Sequence, residues 1–498
     1  MQKNKSLKKF QLLLSVSAVV SFSGCASYNS QSSKFISDWE AGNYVAAADA
    51  VEEKASKQED NKKDGLVWNL ERGAILRGAG DLDNSLASFE KAEGFVQAAE
   101  IEAKTKVSSE ATALATNLTQ IPYRGYFYDR IMLNTYQALN HIAMGDLDAA
   151  RVELNRASQR QRDALNENAK RIEKAEAEAR KVEDVQLEDG SSYVDKAKED
   201  DGFNSNLDAV YQKDDGVAVY ADYVNPFSVF IDGLYFLTNP AGPSDLERAR
   251  KSFQRVAQMA DSNRFAQDDL KVAEAAAASG TPLNDTTYVV FETGSAPYRK
   301  EIRIDIPVFL VSDDVPYVGA AFPRLVYQDD YLENLEVDLG STTISPELVC
   351  SMDSVVKTEF YNELPIVITK TLVAAGTKAL AAYAISEATD GNIFAQIATS
   401  AYQLAMNKAD LRTWRSLPKE FHYCSFTTPE AGEIEVRNPI SGESQSIQLE
   451  SNNINVVYVR ATGSTAPMSV HQFTMRPSRD VAHSGNRQAP FPVAVNVD

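Results

Sequence analysis

The chain has 498 residues, 44% of them hydrophobic, and a formal net charge of −20. This length predicts two to four domains, each with a core of its own, and excludes a peptide-sized or single small domain. The negative charge argues against nucleic acid and anionic lipid headgroups as partners, because a strongly negative field repels both, so we expect attachment to come from lipid rather than from a basic patch.

The first 24 residues have the anatomy of a bacterial lipoprotein signal peptide. A segment with four lysines is followed by a mainly apolar stretch at 10–22 and by small residues just before Cys25. That stretch is too short to span a membrane as a helix. We therefore predict cleavage before Cys25 and lipidation of its thiol by a diacylglycerol, with a fatty acid such as palmitate on the new N-terminus. The alternative is a plain secretory signal with an incidental cysteine.

Lipidation of Cys25 predicts the location of the mature chain. Removal of residues 1–24 takes away four lysines and no acid, so the net charge becomes −24. Three acyl chains are enough for stable anchoring. Because Ala26 rather than an aspartate follows the cysteine, we expect a protein anchored in the outer membrane and facing the periplasm, with surface exposure left open. Residues 25–34 are polar and Ser-rich, and we expect a flexible tether.

Residues 35–280 predict an all-α domain of helical hairpins. A repeated phrase, GNY at 42–44, GDL at 80–82 and 145–147 and GPSD at 242–245, is followed each time by small apolar residues at helical spacing. In each copy we expect the glycine to end one helix in a left-handed conformation and a nearby polar residue to cap the next. The phrases are similar to tetratricopeptide repeats, although their spacing departs from the regular repeat of about 34 residues. A generic helical bundle is the alternative.

An acidic insertion near 183–216 interrupts the predicted helices. The charged run at 171–181 has high helix propensity and precedes it. We favour a solvated helix that leads into a mobile loop over a partner-binding coiled coil, because the apolar residues are too sparse for a seam.

Residues 281–466 predict an α+β domain with mainly antiparallel strands. Strands are expected at 287–292, 301–311, 318–327, 335–339, 422–427, 433–438, 446–450 and 455–460, and helices at 346–360 and 365–407. We expect the tail, 467–498, to be loosely ordered.

Only Cys350 and Cys424 follow the lipidated cysteine. In an oxidising compartment they could form one disulfide. Two buried free thiols are an equally good interpretation, because a separation of 74 residues does not tell whether the sulfurs meet.

The sequence lacks the familiar catalytic motifs. It has no HExxH, GxSxG, P-loop or dinucleotide-binding glycine pattern, and its four histidines have no metal-ligand spacing. We predict no catalytic residue, no metal and no cofactor. His422 and Cys424 alternate on a predicted strand, but a structural role is favoured over a catalytic pair.

Two segments of the C-terminal domain could present a recognition surface. Tyr298, Arg299 and Lys300 lie in a predicted connection between strands, and Trp414 lies in a connection from helix to strand. We consider all four to be possible partner-binding residues. The alternatives are a hairpin loop with a solvated basic pair and a connection held in place by Trp414.

These segments also carry a family resemblance. The lipobox, the repeat-like phrases, FETGSAPYRKE at 291–301, YVGAAFP at 317–323 and DLRTWRSLP at 410–418 together resemble a family of bacterial tetratricopeptide-repeat-containing lipoproteins of unknown function. The resemblance covers most of the mature chain. Members of that family are often encoded beside small lipoproteins that activate peptidoglycan synthases, which implies a role in envelope assembly.

From these features we expect a noncatalytic scaffold that is anchored by lipid and binds an envelope protein or peptide through its helical repeats. One alternative is an envelope hydrolase or transferase with paired acids in the C-terminal domain, for example Glu292 with Glu301 or Asp305. A second alternative is a subunit of a secretion or surface-assembly complex.

Overall fold

A computed structural model of the chain describes residues 28–105, 121–181, 191–211, 220, 223–280, 283, 285–307, 317–388 and 408–475. Cys25 lies outside these residues. The helices are α1 Tyr28–Glu40, α2 Tyr44–Ala55, α3 Gly65–Gly78, α4 Leu82–Thr105, α5 Phe127–Ala143, α6 Leu147–Lys181, α7 Tyr193–Glu199, α8 Asp201–Val210, α9 Pro226–Thr238, α10 Pro243–Met259, α11 Arg264–Ser279 and α12 Met352–Ala388. The strands are β1 Thr286–Thr293, β2 Tyr298–Pro307, β3 Tyr317–Val326, β4 Glu336–Asp338, β5 Thr343–Ile344, β6 Glu347–Ser351, β7 Glu420–Thr427, β8 Glu433–Arg437, β9 Ser444–Gln448, β10 Ile454–Ala461 and β11 Ser469–Thr474.

Helical hairpins form the N-terminal part, as predicted. Helices α1 and α2, α3 and α4, and α5 and α6 pack as successive pairs. Gly42, Gly80 and Gly145 connect the members of each pair with φ values of 74°, 83° and 80°, a region that glycine adopts without steric cost. The left-handed prediction is wrong at Gly242, where φ is −179° and the backbone is extended. There Pro243 begins α10 and presets its first turn.

The C-terminal part contains the expected antiparallel strands in three sheets. The largest has the order β11-β10-β1-β7-β6, in which β1 pairs parallel with β10 and antiparallel with β7. The second has the order β5-β4-β8-β9, and β2 and β3 form a separate hairpin. Every residue of β10 is buried, so this strand is covered on both faces of its sheet.

One hydrophobic core joins the helices to the five-stranded sheet. Phe227 of α9 stacks on Phe421 of β7 at 3.8 Å between ring centroids, and Phe230 stacks on Tyr423 at 4.1 Å. The same core continues through the N-terminal hairpins. The change in sequence pattern near residue 280 therefore marks a change from helix to strand. From the length we expected each domain to have its own core, but the two halves share this one.

A second core lies around the β2–β3 hairpin. It includes α7 and α8, which form within the acidic segment 183–216 that we predicted to be a mobile loop. Tyr193 donates a hydrogen bond to the carbonyl of Pro307 at 2.8 Å, and Tyr211 donates one to Pro323 at 2.8 Å. These buried aromatic side chains order the segment despite its many acids; residues 183–190 and 212–216 lie outside the described ranges.

Helix α12 differs from the two predicted helices. Residues 347–351 form β6, and one helix then continues from Met352 through Pro365. A proline inside a helix removes one backbone donor. The helix continues because Phe360 and Leu372, on either side of the proline, are both buried in the second core. Residues 389–407 are not among those described.

Residues 28–34, which we predicted to be tether, belong to α1. Tyr28, Ser32, Phe35 and Trp39 are buried on one face of this helix. The ring of Tyr28 lies 5.6 Å from that of Trp68 in an edge contact. Burial of this aromatic face outweighs the weak helix propensity of the serines.

Two further expectations concern the tail and the cysteines. The beginning of the tail, at 469–474, pairs with β10 as strand β11 rather than being loosely ordered. Cys350 and Cys424 are free and buried, so the possible disulfide is not formed. Cys350 pairs with Phe421 across β6 and β7, three residues from Cys424, and this register keeps the sulfurs apart.

Candidate functional site

The segment 410–418 runs between the helical hairpins and the five-stranded sheet. Trp414 is buried, with its ring 5.9 Å from that of Phe89 and 5.8 Å from that of Tyr136. Its Nε1 donates to Oγ of Ser416 at 2.9 Å. Trp414 is therefore part of the joint between the two halves, and the expectation that it lies on a partner-binding surface is wrong.

Arg412 connects this segment to the N-terminal helices. Its guanidinium contacts the carboxylate of Asp410 at 2.6 Å and that of Asp64 at 2.8 Å. It also donates to the carbonyl oxygens of Lys63 at 3.2 Å and Ile121 at 2.9 Å. The planar fork of an arginine allows one side chain to hold several acceptors at once.

Glu71 of α3 binds the next part of the same segment. Its carboxylate accepts hydrogen bonds from the backbone N–H groups of Arg415 at 2.7 Å and Ser416 at 3.0 Å, and from the hydroxyl of Tyr28. Burial raises the pKa of Glu71, while these hydrogen bonds oppose the rise. One carboxylate thus ties together α1, α3 and the segment before β7.

Glu292 of β1 occupies the centre of the joint. Its carboxylate accepts from Tyr136 at 2.9 Å, from Tyr458, and from the guanidinium of Arg460. Arg460 also donates to the carbonyl of Ser416 at 2.9 Å. Both charged groups are almost completely buried, and each is compensated by the other and by neutral donors or acceptors.

A small cavity adjoins Glu292. It has a volume of about 10 Å³, enough for about one water molecule, and Arg77, Tyr458 and His471 are among the residues that line it. Burial and the nearby Arg77 guanidinium lower the pKa of His471 to about 4. Arg77 stacks over the ring of Tyr458 at 4.5 Å.

Arg299 forms a similar buried contact at the beginning of β2. Its guanidinium lies 2.9 Å from the carboxylate of Glu363 on α12 and 3.9 Å from the ring centre of Tyr126. Arg299 is only 3% exposed, so the expectation that it binds a partner at the surface is wrong. Its neighbours differ, because Tyr298 is half-buried and Lys300 is exposed.

Glu359 of α12 binds the N-terminus of α5. Its carboxylate accepts from the backbone N–H of Phe127 at 2.6 Å and of Tyr128 at 3.0 Å. The first N–H groups of a helix have no partner within the helix, so a carboxylate from another element satisfies them. Burial nevertheless raises the pKa of Glu359 to about 8. A second cavity of about 10 Å³ lies beside this carboxylate.

We call Glu71, Glu292, Arg299, Glu359, Arg412 and Arg460 the interlayer network, because each joins a helix or loop of one half to the other half or to another layer. Of these six residues, only Glu292 and Arg299 were predicted from the sequence to belong to a site. Glu71 lies within the mainly apolar segment GLVWNLERGAIL, directly before Arg72, and Arg460 follows the mainly apolar segment INVVYV. A charge within or beside such a segment is the sequence signal for a buried ion pair or buried cap.

The acids proposed for an enzyme do not come together. Glu292 lies on β1 of the five-stranded sheet, whereas Glu301 and Asp305 lie on β2 of the separate hairpin. Glu301 accepts from the backbone N–H of Ala409 at 3.1 Å, and Asp305 is exposed. No pair of convergent carboxylates is formed by these three residues.

The possible histidine and cysteine pair is not built for catalysis either. Nε2 of His422 lies 2.9 Å from the carboxylate of Glu420. Cys424 is completely buried, and burial raises the pKa of its thiol above the ordinary range. A thiol in such surroundings is a poor nucleophile, because the thiolate is the reactive form.

In the described part of the chain, no cluster of three or more His, Cys, Asp or Glu side chains is arranged to bind a metal ion. Within the same ranges, none of the helices combines the length and the apolar character needed to cross a bilayer. No family model, curated protein or solved structure matches the chain.

Proposed function

We propose that the protein is a noncatalytic scaffold of the bacterial cell envelope, lipidated at Cys25 and anchored in the outer membrane with its folded part in the periplasm. Its TPR-like helical hairpins bind a protein or peptide partner, and the C-terminal sheets hold the hairpins in a fixed arrangement. A role in envelope assembly follows from the family resemblance of the sequence. The repeat character of the hairpins is part of this proposal.

The interlayer network is the observation that supports a scaffold. Glu71, Glu292 and Glu359 are the kind of buried carboxylates that enzymes use, but here each accepts hydrogen bonds from backbone or side-chain donors of other elements. Such groups fix the relative position of the layers and leave little capacity for a substrate. The acids given as an example for the hydrolase or transferase alternative do not support it, because Glu292 lies in a different sheet from Glu301 and Asp305.

The exposed faces of the hairpins supply apolar contacts for a partner. Val152 and Leu165 of α6 are 47% and 52% exposed, and Ile101 of α4 is 63% exposed. Large apolar side chains at the centre of a recognition surface contribute most of the binding energy. We therefore assign partner binding to the exposed positions of α4 and α6 that carry these side chains.

Crosslinking in living cells tests this function. The native protein, Val152→Glu with Leu165→Glu, and the matched control Ile440→Glu are crosslinked, and captured proteins are identified and quantified. Ile440 is 59% exposed and lies outside the hairpins in the chain, in the connection between β8 and β9. We expect the α6 variant to lose specific partners that the Ile440 variant retains. Equal capture by all three proteins would contradict partner binding by the hairpins.

A second arm tests the anchor. Cys25→Ser removes the acceptor of the lipid while leaving the described residues unchanged. We expect the variant to leave the membrane fraction and to capture the partners less efficiently. Capture of the same partners in the same amounts would show that attachment to the membrane does not matter for the scaffold.

A further inference from the structure

The distance between Cys25 and the folded body is unexpectedly short. Tyr28 is already buried in α1, where its hydroxyl donates to Glu71 and its ring packs on Trp68. Only Ala26 and Ser27 separate it from the cysteine. Three residue steps span at most about 11 Å between the α-carbons of Cys25 and Tyr28. Acyl chains on Cys25 would therefore hold the body of the protein close to the bilayer.

The beginning of α1 is fixed to the beginning of β2. The side chain of Asn29 donates to the backbone carbonyl of Arg299 at 2.9 Å. One turn farther along the helix, the guanidinium of Arg415 donates to Oγ of Ser32 at 3.4 Å and lies 4.8 Å from the ring centre of Tyr298. The position of the first residues of α1 relative to β2 is thus fixed by these contacts.

This part of the surface carries exposed basic side chains although the protein as a whole is strongly negative. Lys300 and Arg324 are exposed and lie directly opposite each other in the β2–β3 hairpin. Lys34 is exposed on α1, and the helix carries no acid before Asp38. A lysine or arginine close to an anionic membrane surface is attracted to it.

Tyr298 adds a residue type that membrane interfaces favour. It is half-buried and directly precedes Arg299, whose carbonyl accepts the hydrogen bond of Asn29. Tyrosine has an apolar ring and a polar hydroxyl, so it is enriched where hydrocarbon meets water. The headgroup layer is about 6 Å thick on each side of the bilayer, so a chain of about 11 Å from the acylated cysteine brings this surface to the headgroups.

We propose that the surface formed by residues 28–34, Tyr298, Lys300 and Arg324, the membrane face, lies against anionic lipid headgroups when Cys25 is acylated. This inference rests on the proposed lipid anchor and adds the orientation of the scaffold. The acyl chains hold the protein at the membrane, and the short connection and the basic residues select which side faces it. Helix α11, whose Asp269 contacts Tyr288 in the first half of β1, then lies at the other end of this strand from the membrane face.

Fluorescence quenching by the membrane tests the orientation. Lys300→Cys and the control Lys271→Cys are prepared in the full-length acylated protein and labelled with a fluorophore. Cys350 and Cys424 are completely buried, so labelling is directed to the new thiol. Lys271 is a matched control because it is a highly exposed lysine of α11. It lies near Asp269, which contacts Tyr288 in the first half of β1, whereas Lys300 follows the end of that strand.

Each labelled protein is added to vesicles of phosphatidylethanolamine and phosphatidylglycerol that carry a quencher on the lipid headgroup. We expect loss of most of the fluorescence at position 300 and little loss at position 271. Replacement of both lipids by phosphatidylcholine should reduce the difference between the two positions. The same pattern in neutral vesicles would overturn the contact with anionic headgroups.

The outcomes separate the orientation from the anchor. If mass spectrometry shows acylated Cys25 but both positions are quenched equally, or position 271 more strongly, the membrane face is wrong and the lipid anchor stands. If Cys25 carries no lipid and the protein does not bind vesicles, the anchor is wrong and the membrane face falls with it.

Discussion

Arg460 shows what the interlayer network does for a single residue. Its guanidinium is 5% exposed, and it is compensated by Glu292, by the carbonyl of Ser416 and by the ring of Trp39 at 4.4 Å. A buried charge that loses its partner keeps the cost of its desolvation without the compensating attraction. Substitution of either partner should therefore lower the stability of the fold strongly, although an ion pair at the surface contributes little to stability.

We predict that Glu292→Gln destabilises the protein by about 3 to 5 kcal/mol, because it leaves Arg460 buried without its counter-charge. Urea unfolding monitored by tryptophan fluorescence measures the change. Glu435→Gln on the exposed side of β8 is the control and should change stability by less than about 0.5 kcal/mol. Equal unfolding midpoints for the two variants would show that the buried pair contributes no stability.

Asp269 predicts a dependence of stability on pH. Its Oδ1 accepts from Tyr288 at 3.3 Å and from Ser425 at 3.2 Å, whereas Oδ2 has no hydrogen-bond partner among the described residues. Burial raises the pKa of this carboxyl from 3.8 to about 7. A raised pKa means that the folded state binds the proton more tightly than the unfolded state, so the stabilisation is complete below pH 4 and is lost as the pH rises to 7.

We expect the free energy of unfolding to fall by roughly 3 kcal/mol between pH 4 and pH 7 through this group, and Asp269→Asn to remove that part of the fall. Chemical denaturation at a series of pH values measures it. The neighbouring Asp268→Asn is the control, because the Asp268 side chain is highly exposed and its charge is only a minor cause of the raised pKa of Asp269, so most of the pH dependence should remain. The same slope in both variants would contradict a protonated Asp269.

At the residue scale the sequence predicts which side chains are unusual better than where they lie. Arg299 and Trp414 were correctly singled out as distinctive, but both are internal. Arg299 contacts Tyr126 and Glu363, and Trp414 contacts Phe89, which are all more than 60 residues away along the chain. The residues next to Arg299 and Trp414 in the sequence cannot show that these distant partners bury their side chains.

Two glycines inside helices differ in how closely a neighbouring side chain approaches them. A Cβ on Gly73 of α3 would lie 2.3 Å from the ring of Phe89, whereas a Cβ on Gly94 of α4 would meet nothing within 4 Å. The first glycine allows α3 and α4 to approach closely. The second has no such packing role, and it only increases the conformational freedom that the chain loses on folding.

We predict that Gly73→Ala lowers stability by about 1 to 3 kcal/mol through overpacking, and that Gly94→Ala raises it by about 0.5 to 1 kcal/mol. Thermal unfolding of the two variants beside the native protein measures both changes. Because the substitution is the same in both helices, the difference isolates the contact with Phe89. Stabilisation by both alanines would mean that α3 and α4 are farther apart than described.

At the element scale, periodic patterns predicted well and compositional ones did not. Strands β1 and β10 follow their β-branched runs closely, and Gly42 and Gly80 end helices as expected. The Ser-rich segment 28–34 was assigned to a tether because serine is uncommon inside helices. It is helical because one aromatic residue, Tyr28, extends the buried face of α1 by two turns before Phe35. A single buried ring can decide a boundary that composition places elsewhere.

For the whole molecule, the shared core predicts one cooperative unit. The helical half and the sheet half meet through the interlayer network, and both contribute to the largest hydrophobic core. If residues 25–280 are produced alone, Glu71 loses the backbone donors of Arg415 and Ser416, and if residues 281–475 are produced alone, Glu292 loses Tyr136. Each fragment would also expose a large apolar surface.

We therefore expect neither fragment to unfold cooperatively by itself, and we expect co-expression to restore a soluble complex of the two. Circular dichroism melting and size-exclusion chromatography of the separate and co-expressed fragments measure this. Intact residues 25–475 are the control. A sharp thermal transition in either isolated fragment would show that the two halves are independent domains.

The position of β1 in its sheet also determines when the molecule can finish folding. Thr286 at its beginning pairs with Ile454, and Glu292 near its end is 168 residues from Arg460. Contacts between such distant parts of a chain make folding slow. During synthesis both edges of β1 therefore stay open until β7, which begins at Glu420, and β10, which begins at Ile454, have been made. The core that β1 shares with the helical hairpins cannot close before that point.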